Sequence, residues 1–127
     1  MRGSTLTMIV ALLLACPTVA LAFNTQWAYG NAARYYTEED WAAEEKAVAD
    51  ALNNKPDGSA SEWQGPKAVI VGAAKPLKTY KNKKGQQCRL LELTSKRMEQ
   101  VDRAAGHFCR AEDTGEWVFV GMAKIKQ

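Results

Sequence analysis

A single histidine, His107, and three cysteines are all that this 127-residue chain offers in the way of strong metal ligands or nucleophiles. One histidine excludes a His-rich metal centre, and without a C-x-x-C pair the zinc reading of Cys88, Cys109 and His107 has little to stand on. No Gly-rich phosphate loop and no C-x-x-C-H haem attachment motif occurs, so neither a nucleotide nor a haem is expected. No recognisable nucleic-acid-binding motif is present. The longest apolar run, Leu6 to Ala15, is too short to span a bilayer. No cofactor is expected.

What is there begins with that short run. Arg2 precedes it, and Ala20-Leu21-Ala22 follows as a small-x-small cleavage site. The pattern predicts a signal peptide over residues 1–22, with a mature chain of about 105 residues starting at Phe23 in the periplasm or outside the cell. Leu13-Leu14-Ala15-Cys16 also resembles a lipobox, in which Cys16 would carry lipid and only then attach the protein to a membrane. Either reading removes Cys16 from the folded part and leaves an even pair, Cys88 and Cys109. In an exported chain that pair predicts a disulfide.

The net charge of +3 conceals an uneven distribution. Residues 23–66 hold three basic side chains (Arg34, Lys46, Lys55) against eight acidic ones, and residues 67–127 hold thirteen against six. Two expectations follow: the halves lie against each other with complementary fields, or the basic half faces an anionic envelope polymer or an acidic protein surface.

Residues 23–36 are rich in aromatics without periodicity, and Trp27, Tyr29, Tyr35 and Tyr36 read as an arm that docks on a partner. The domain proper is expected over 37–127. Thr37 is a good N-cap, with Asp40 in the capping-box position. Trp41, Glu45, Val48 and Leu52 recur at helical spacing, predicting an amphipathic helix over 38–53. Its acids Glu38, Glu39, Glu44 and Glu45 read as a solvated face rather than an acid–base pair. Asn53 to Gly58 and Ser59 to Ser61 read as loop.

A β-rich region is expected over 63–122. Its runs are Ala68–Val71, Leu77–Tyr80 behind Pro76, Gln86–Lys96, Val101–Arg110 and Trp117–Val120. The fold class is therefore α+β, one amphipathic helix packed on a small antiparallel meander of about five strands, with one disulfide. If Cys88 lies opposite Cys109, Leu90 faces His107, Leu91 faces Gly106 and Leu93 faces Ala104. Leu91, Leu93, Ala104 and Phe108 then share a core face, and Glu92 reaches Arg103 diagonally on the other. The tip would fall on Met98-Glu99, neither of which favours positive φ, so a longer or bulged connection is expected. Directly opposed cysteines are an uncommon bridge, which leaves a diagonal bridge, or one between neighbouring elements, open as well. His107 lies two residues from Cys109 and points the same way without touching it well, a poor arrangement for a Cys-His nucleophile.

The units Gly85-Gln86-Gln87-Cys88-Arg89 and Gly106-His107-Phe108-Cys109-Arg110 stand with Ala51-Leu52, Asp57-Gly58, Trp63 and Gly115-Glu116-Trp117. From Ala51 to Gly121 the chain thereby resembles the bacterial surface-antigen domain of the 17 kDa surface antigen type. The resemblance implies an exported, β-rich cell-envelope domain with no established enzymatic activity. An acidic helix stands here where many members carry a glycine-rich segment. The expected function is a non-catalytic binding or accessory module of a periplasmic or outer-membrane assembly. A protein partner would meet the aromatic arm and the basic stretch Lys78, Lys81, Lys83 and Lys84. The rival reading is a small periplasmic redox protein or enzyme using Cys88, Cys109 and His107.

Overall fold

In the computed structural model, residues 32–124 are described. A 3₁₀ turn, Ala32–Tyr35, leads into α1 (Glu38–Asn54), followed by β1 (Ser61–Gln64), β2 (Ile70–Lys81), β3 (Gln87–Arg97), β4 (Gln100–Arg110) and β5 (Trp117–Ala123). The strands form one antiparallel sheet in chain order, β1-β2-β3-β4-β5. The helix packs on β1 and β2, on one face of that sheet.

Local chemistry explains the start of α1. The Thr37 side chain accepts from the Asp40 backbone N–H at 3.3 Å, and the Asp40 carboxylate accepts from the Thr37 N–H at 2.8 Å. This is the capping box that the sequence led one to expect. The buried stripe is turned from the expected one. It runs through Asp40, Glu44, Ala47, Val48, Ala51 and Leu52, and the small alanines let the helix approach the sheet closely. Glu44 is 4% exposed rather than part of a solvated face. Its neighbour Tyr36 packs edge-on against both Trp41 and Trp63. Burial, and after it the negative charge of Glu44, pushes the Tyr36 hydroxyl far above its ordinary pKa.

Five strands are present, as expected, but they divide differently. Ser61–Gln64, which lies ahead of the expected runs, is β1, and the two runs on either side of Gly72 and Pro76 are one strand, β2. Gly72 does not break it. A Cβ there would lie 2.5 Å from the Trp63 ring, so glycine makes room for an indole laid across the strand. Pro76 is accommodated because β1 reaches only to Ala74 along β2, and a bulge follows between Pro76 and Lys78.

The β3–β4 register is the one that opposed cysteines require, with Leu90 facing His107, Leu91 facing Gly106, Leu93 facing Ala104 and Thr94 facing Arg103. The connection is the tight two-residue tip Met98-Glu99, not the longer or bulged one expected from its residues. Arg97 pairs with Gln100, and Met98 takes φ 55°. Ten residue pairs between β3 and β4 hold the strands in register, so long-range pairing overrides the local reluctance of methionine for positive φ. The core gathers Val48, Ala51 and Leu52 of α1 with Trp63, Ile70, Ala74, Leu91, Leu93, Phe108 and Trp117 of the sheet.

Candidate functional site

The two Cys-Arg units lie side by side near one end of the sheet. Cys88 on β3 and Cys109 on β4 are directly opposed and joined by a disulfide, with Cα atoms 4.0 Å apart. The bridge thus joins directly opposed residues of paired strands rather than running diagonally. Its residues are 0% and 5% exposed, so neither sulfur stands open to solvent.

Alternation sends each arginine to the face opposite its cysteine, the face that carries α1. There the two part company. Arg89 is buried and uses every donor of its guanidinium group. Its Nη1 donates to the carbonyls of Ala51 and Leu52, both at 2.9 Å, and its Nη2 to the Lys55 carbonyl at 2.7 Å and the Asp57 carboxylate at 2.9 Å. Its Nε donates to the Thr79 hydroxyl at 3.0 Å. The last turn of α1 has unmatched carbonyls, as every helix end does, and no glycine follows to close it. Within the helix's own backbone, Lys55 N–H returns to Ala51 at 3.4 Å. An arginine two strands away completes the cap. The charge also suits the negative end of the helix dipole.

Asp57 completes this clamp by accepting from the Thr79 N–H at 3.0 Å and the Thr79 hydroxyl at 2.8 Å. Hydrogen bonds, first from Arg89 and then from Thr79, hold its carboxyl below the usual carboxylate range. The loop after the helix is thereby tied to β2 and β3 together.

Arg110 is half-buried and makes weaker contacts. Its Nη1 donates to the Gly115 carbonyl at 3.2 Å, and its guanidinium lies 4.6 Å from the centre of the Trp117 ring. Its Nε is buried without a hydrogen-bond partner. Trp117 itself donates from its indole to Asn53 at 3.1 Å, so the second unit reaches the helix end only through the tryptophan.

On the sheet's other face, His107 meets Tyr80 with 2.7 Å between the phenolic oxygen and Nδ1. Lys78 stands on the same face, 5.9 Å from the Tyr80 ring. Glu92 lies between Lys75 at 3.9 Å and Arg103 at 3.6 Å, the diagonal contact the register implied. Towards the opposite end of this face, a shallow hollow of about 540 Å³ opens among Glu62, Val71, Thr94, Lys96, Val101 and Arg103.

The residues expected to bind a partner do not come together. Lys78 and Lys81 lie at the far end of β2 and Lys83 and Lys84 in the turn beyond, all exposed. Tyr35 lies under the Arg97 guanidinium, 3.6 Å from its ring centre, where β2 begins. Tyr36 is turned inward. Trp27, Tyr29 and Cys16 lie outside the described residues. The role of Arg89 went unread in the sequence, although one signal was available: a helix ending in Asn-Asn-Lys-Pro has no glycine to satisfy its carbonyls.

Fold and site together define a small disulfide-stapled α+β domain, an end-capped helix on one face of a five-stranded meander. The family model for the "17 kDa outer membrane surface antigen" matches residues 50–118, more than half of the 127 residues, and the chain belongs to that family. The 17 kDa surface antigens of Rickettsia conorii and Rickettsia rickettsii are each 36% identical over 83 residues, 65% of this chain and 52% of theirs. That of Rickettsia bellii is 35% identical over the same length. The chain thus spans about half the length of the curated relatives it matches. No solved structure matches it. The family match takes in Ala51, Leu52, Lys55, Asp57, Thr79 and Arg89, the whole of the clamp.

Proposed function

We propose that this chain is an exported, non-catalytic protein of the cell envelope, serving as a binding or accessory module of a periplasmic or outer-membrane assembly. Family membership supports the location, since the family is described as an outer membrane surface antigen. One observation carries the functional reading. The groups best suited to chemistry are engaged in holding the domain itself, Cys88 and Cys109 in the bridge and Arg89 and Asp57 at the helix end, while no described element covers the second face of the sheet. Such a molecule offers a surface rather than a reaction. In this reading residues 1–22 direct export, and the exposed lysines Lys78, Lys81, Lys83 and Lys84 meet the partner.

Fractionation of cells making the full chain tests this, combined with thiol titration of the recovered protein. The expected result is an envelope fraction with Cys88 and Cys109 unreactive until reduced. A cytosolic protein with titratable native thiols contradicts it and favours the redox reading. Mass spectrometry of the mature N-terminus then separates cleavage after Ala22 from lipidation at Cys16.

A further inference from the structure

The two sides of the domain differ in how their charge is balanced: on the helix side Lys81, Arg89, Arg97 and Arg110 of the sheet offset the acids of α1, whereas the open face holds more cations than acids. The helix carries Glu38, Glu39, Glu45 and Asp50 against a single cation, Lys46. The open face of the sheet carries Lys75, Lys78, Lys96 and Arg103, since each alternates with or faces residues that point away from the helix. Its acids are Glu62 and Glu92, and Glu92 already sits between two of the cations. Lys83 and Lys84 extend the basic surface past the end nearest Lys78, where the neighbouring β4–β5 turn carries Glu112, Asp113 and Glu116. Two exposed apolar side chains, Val101 and Val118, stand on the same face at 55% and 50% exposure.

These cations are not gathered round one point. They spread from the β2–β3 turn to the row of Lys96, nearly the length of the 11-residue β3, which is about 30 Å. Between them lie the Tyr80–His107 pair, Leu90 and Glu92, and the shallow hollow flanked by Lys96 and Arg103. A broad face with more cations than acids and interspersed valines complements a laterally extended negative surface better than a discrete acidic pocket. We propose that the open face docks peripherally on an anionic phospholipid bilayer, with Lys78, Lys83, Lys84, Lys96 and Arg103 meeting phosphates and Val101 and Val118 entering the headgroup layer. The docking is independent of lipid on Cys16. It deepens the envelope reading above and rests on it, but a vesicle assay reads the surface and fractionation reads the location, so the two fail separately.

The test uses the full chain carrying Cys16→Ser, floated with phosphatidylglycerol vesicles and with phosphatidylcholine vesicles. Expected are binding to phosphatidylglycerol alone, loss of binding as salt rises, and a roughly fivefold weakening for each of Lys78→Ala, Lys83→Ala and Lys84→Ala. These lysines are exposed, so circular dichroism should be unchanged. The paired control Glu38→Gln with Glu39→Gln should bind at least as well as the parent. Equal binding to both vesicles, insensitivity to the lysine substitutions, or preference for soluble polyglutamate over vesicles would overturn the proposal.

Discussion

Cys88-Arg89 and Cys109-Arg110 are the same dipeptide on neighbouring strands, joined through their sulfurs, yet their arginines carry different weights. Arg89 falls on the central strand β3, beneath the C-terminal end of α1, and meets five acceptors in a buried site. Arg110 falls beside the edge strand, where it reaches one carbonyl and the face of a tryptophan. What separates them is position in the sheet rather than local sequence. A repeated motif thus marks one covalent staple and one helix cap, with a lesser stacking contact as its echo.

The largest effect should come from removing the cap. Arg89→Met removes the guanidinium donors from the carbonyls of Ala51, Leu52 and Lys55 and from the Asp57 carboxylate, at a cost of about 3 kcal/mol. For a domain of this size that shifts the melting temperature by roughly 10–20 °C, measurable by circular dichroism. Opening the staple comes next. The bridge closes a separation of 21 residues, which corresponds to about 3 kcal/mol in the chain-entropy picture. Strong reductant should therefore lower the melting temperature by a comparable amount, and an unchanged curve would contradict a structural disulfide.

Asp57 sharpens the comparison through pH. Its carboxyl is held below its unfolded value, so its stabilising contribution is complete above the unfolded pKa of about 4 and is lost as pH falls through the lower folded value. Asp57→Asn should be less stable than the parent at neutral pH, and the gap should close below about pH 4 in acid-unfolding curves. A gap that widened on acidification would show the opposite sign. The smallest effect belongs to Arg110→Ala, which removes a half-exposed cation–π contact of about 0.5–1 kcal/mol, read from urea unfolding.

How much of this was legible beforehand differs from element to element. The capping box at Thr37 and Asp40 is a local pattern and was readable as such. The β3–β4 register followed from one assumption, opposed cysteines, because a strand's period of two then fixes every other pair. The division of β1 and β2 was not legible. Gly72 and Pro76 punctuate a strand in isolation, and only Trp63 lying over Gly72, together with the early end of β1, explains why they do not here. Glu44 was read as solvated because acids usually are, whereas its burial depends on what packs above it. The cap by Arg89 joins residues 34 to 38 positions apart, and no spacing rule connects them. Helix ends without a glycine are the place to look for such long-range partners.

The central claim, that one Cys-Arg unit holds the helix end and the other does not, is tested most directly by paired conservative replacement. Lysine keeps the charge but offers three donors from a single point in place of a planar fork. In urea unfolding at neutral pH, Arg89→Lys should lose about 2 kcal/mol or more, and Arg110→Lys under about 1 kcal/mol. Equal losses at the two positions, or a larger loss at Arg110, would contradict the account.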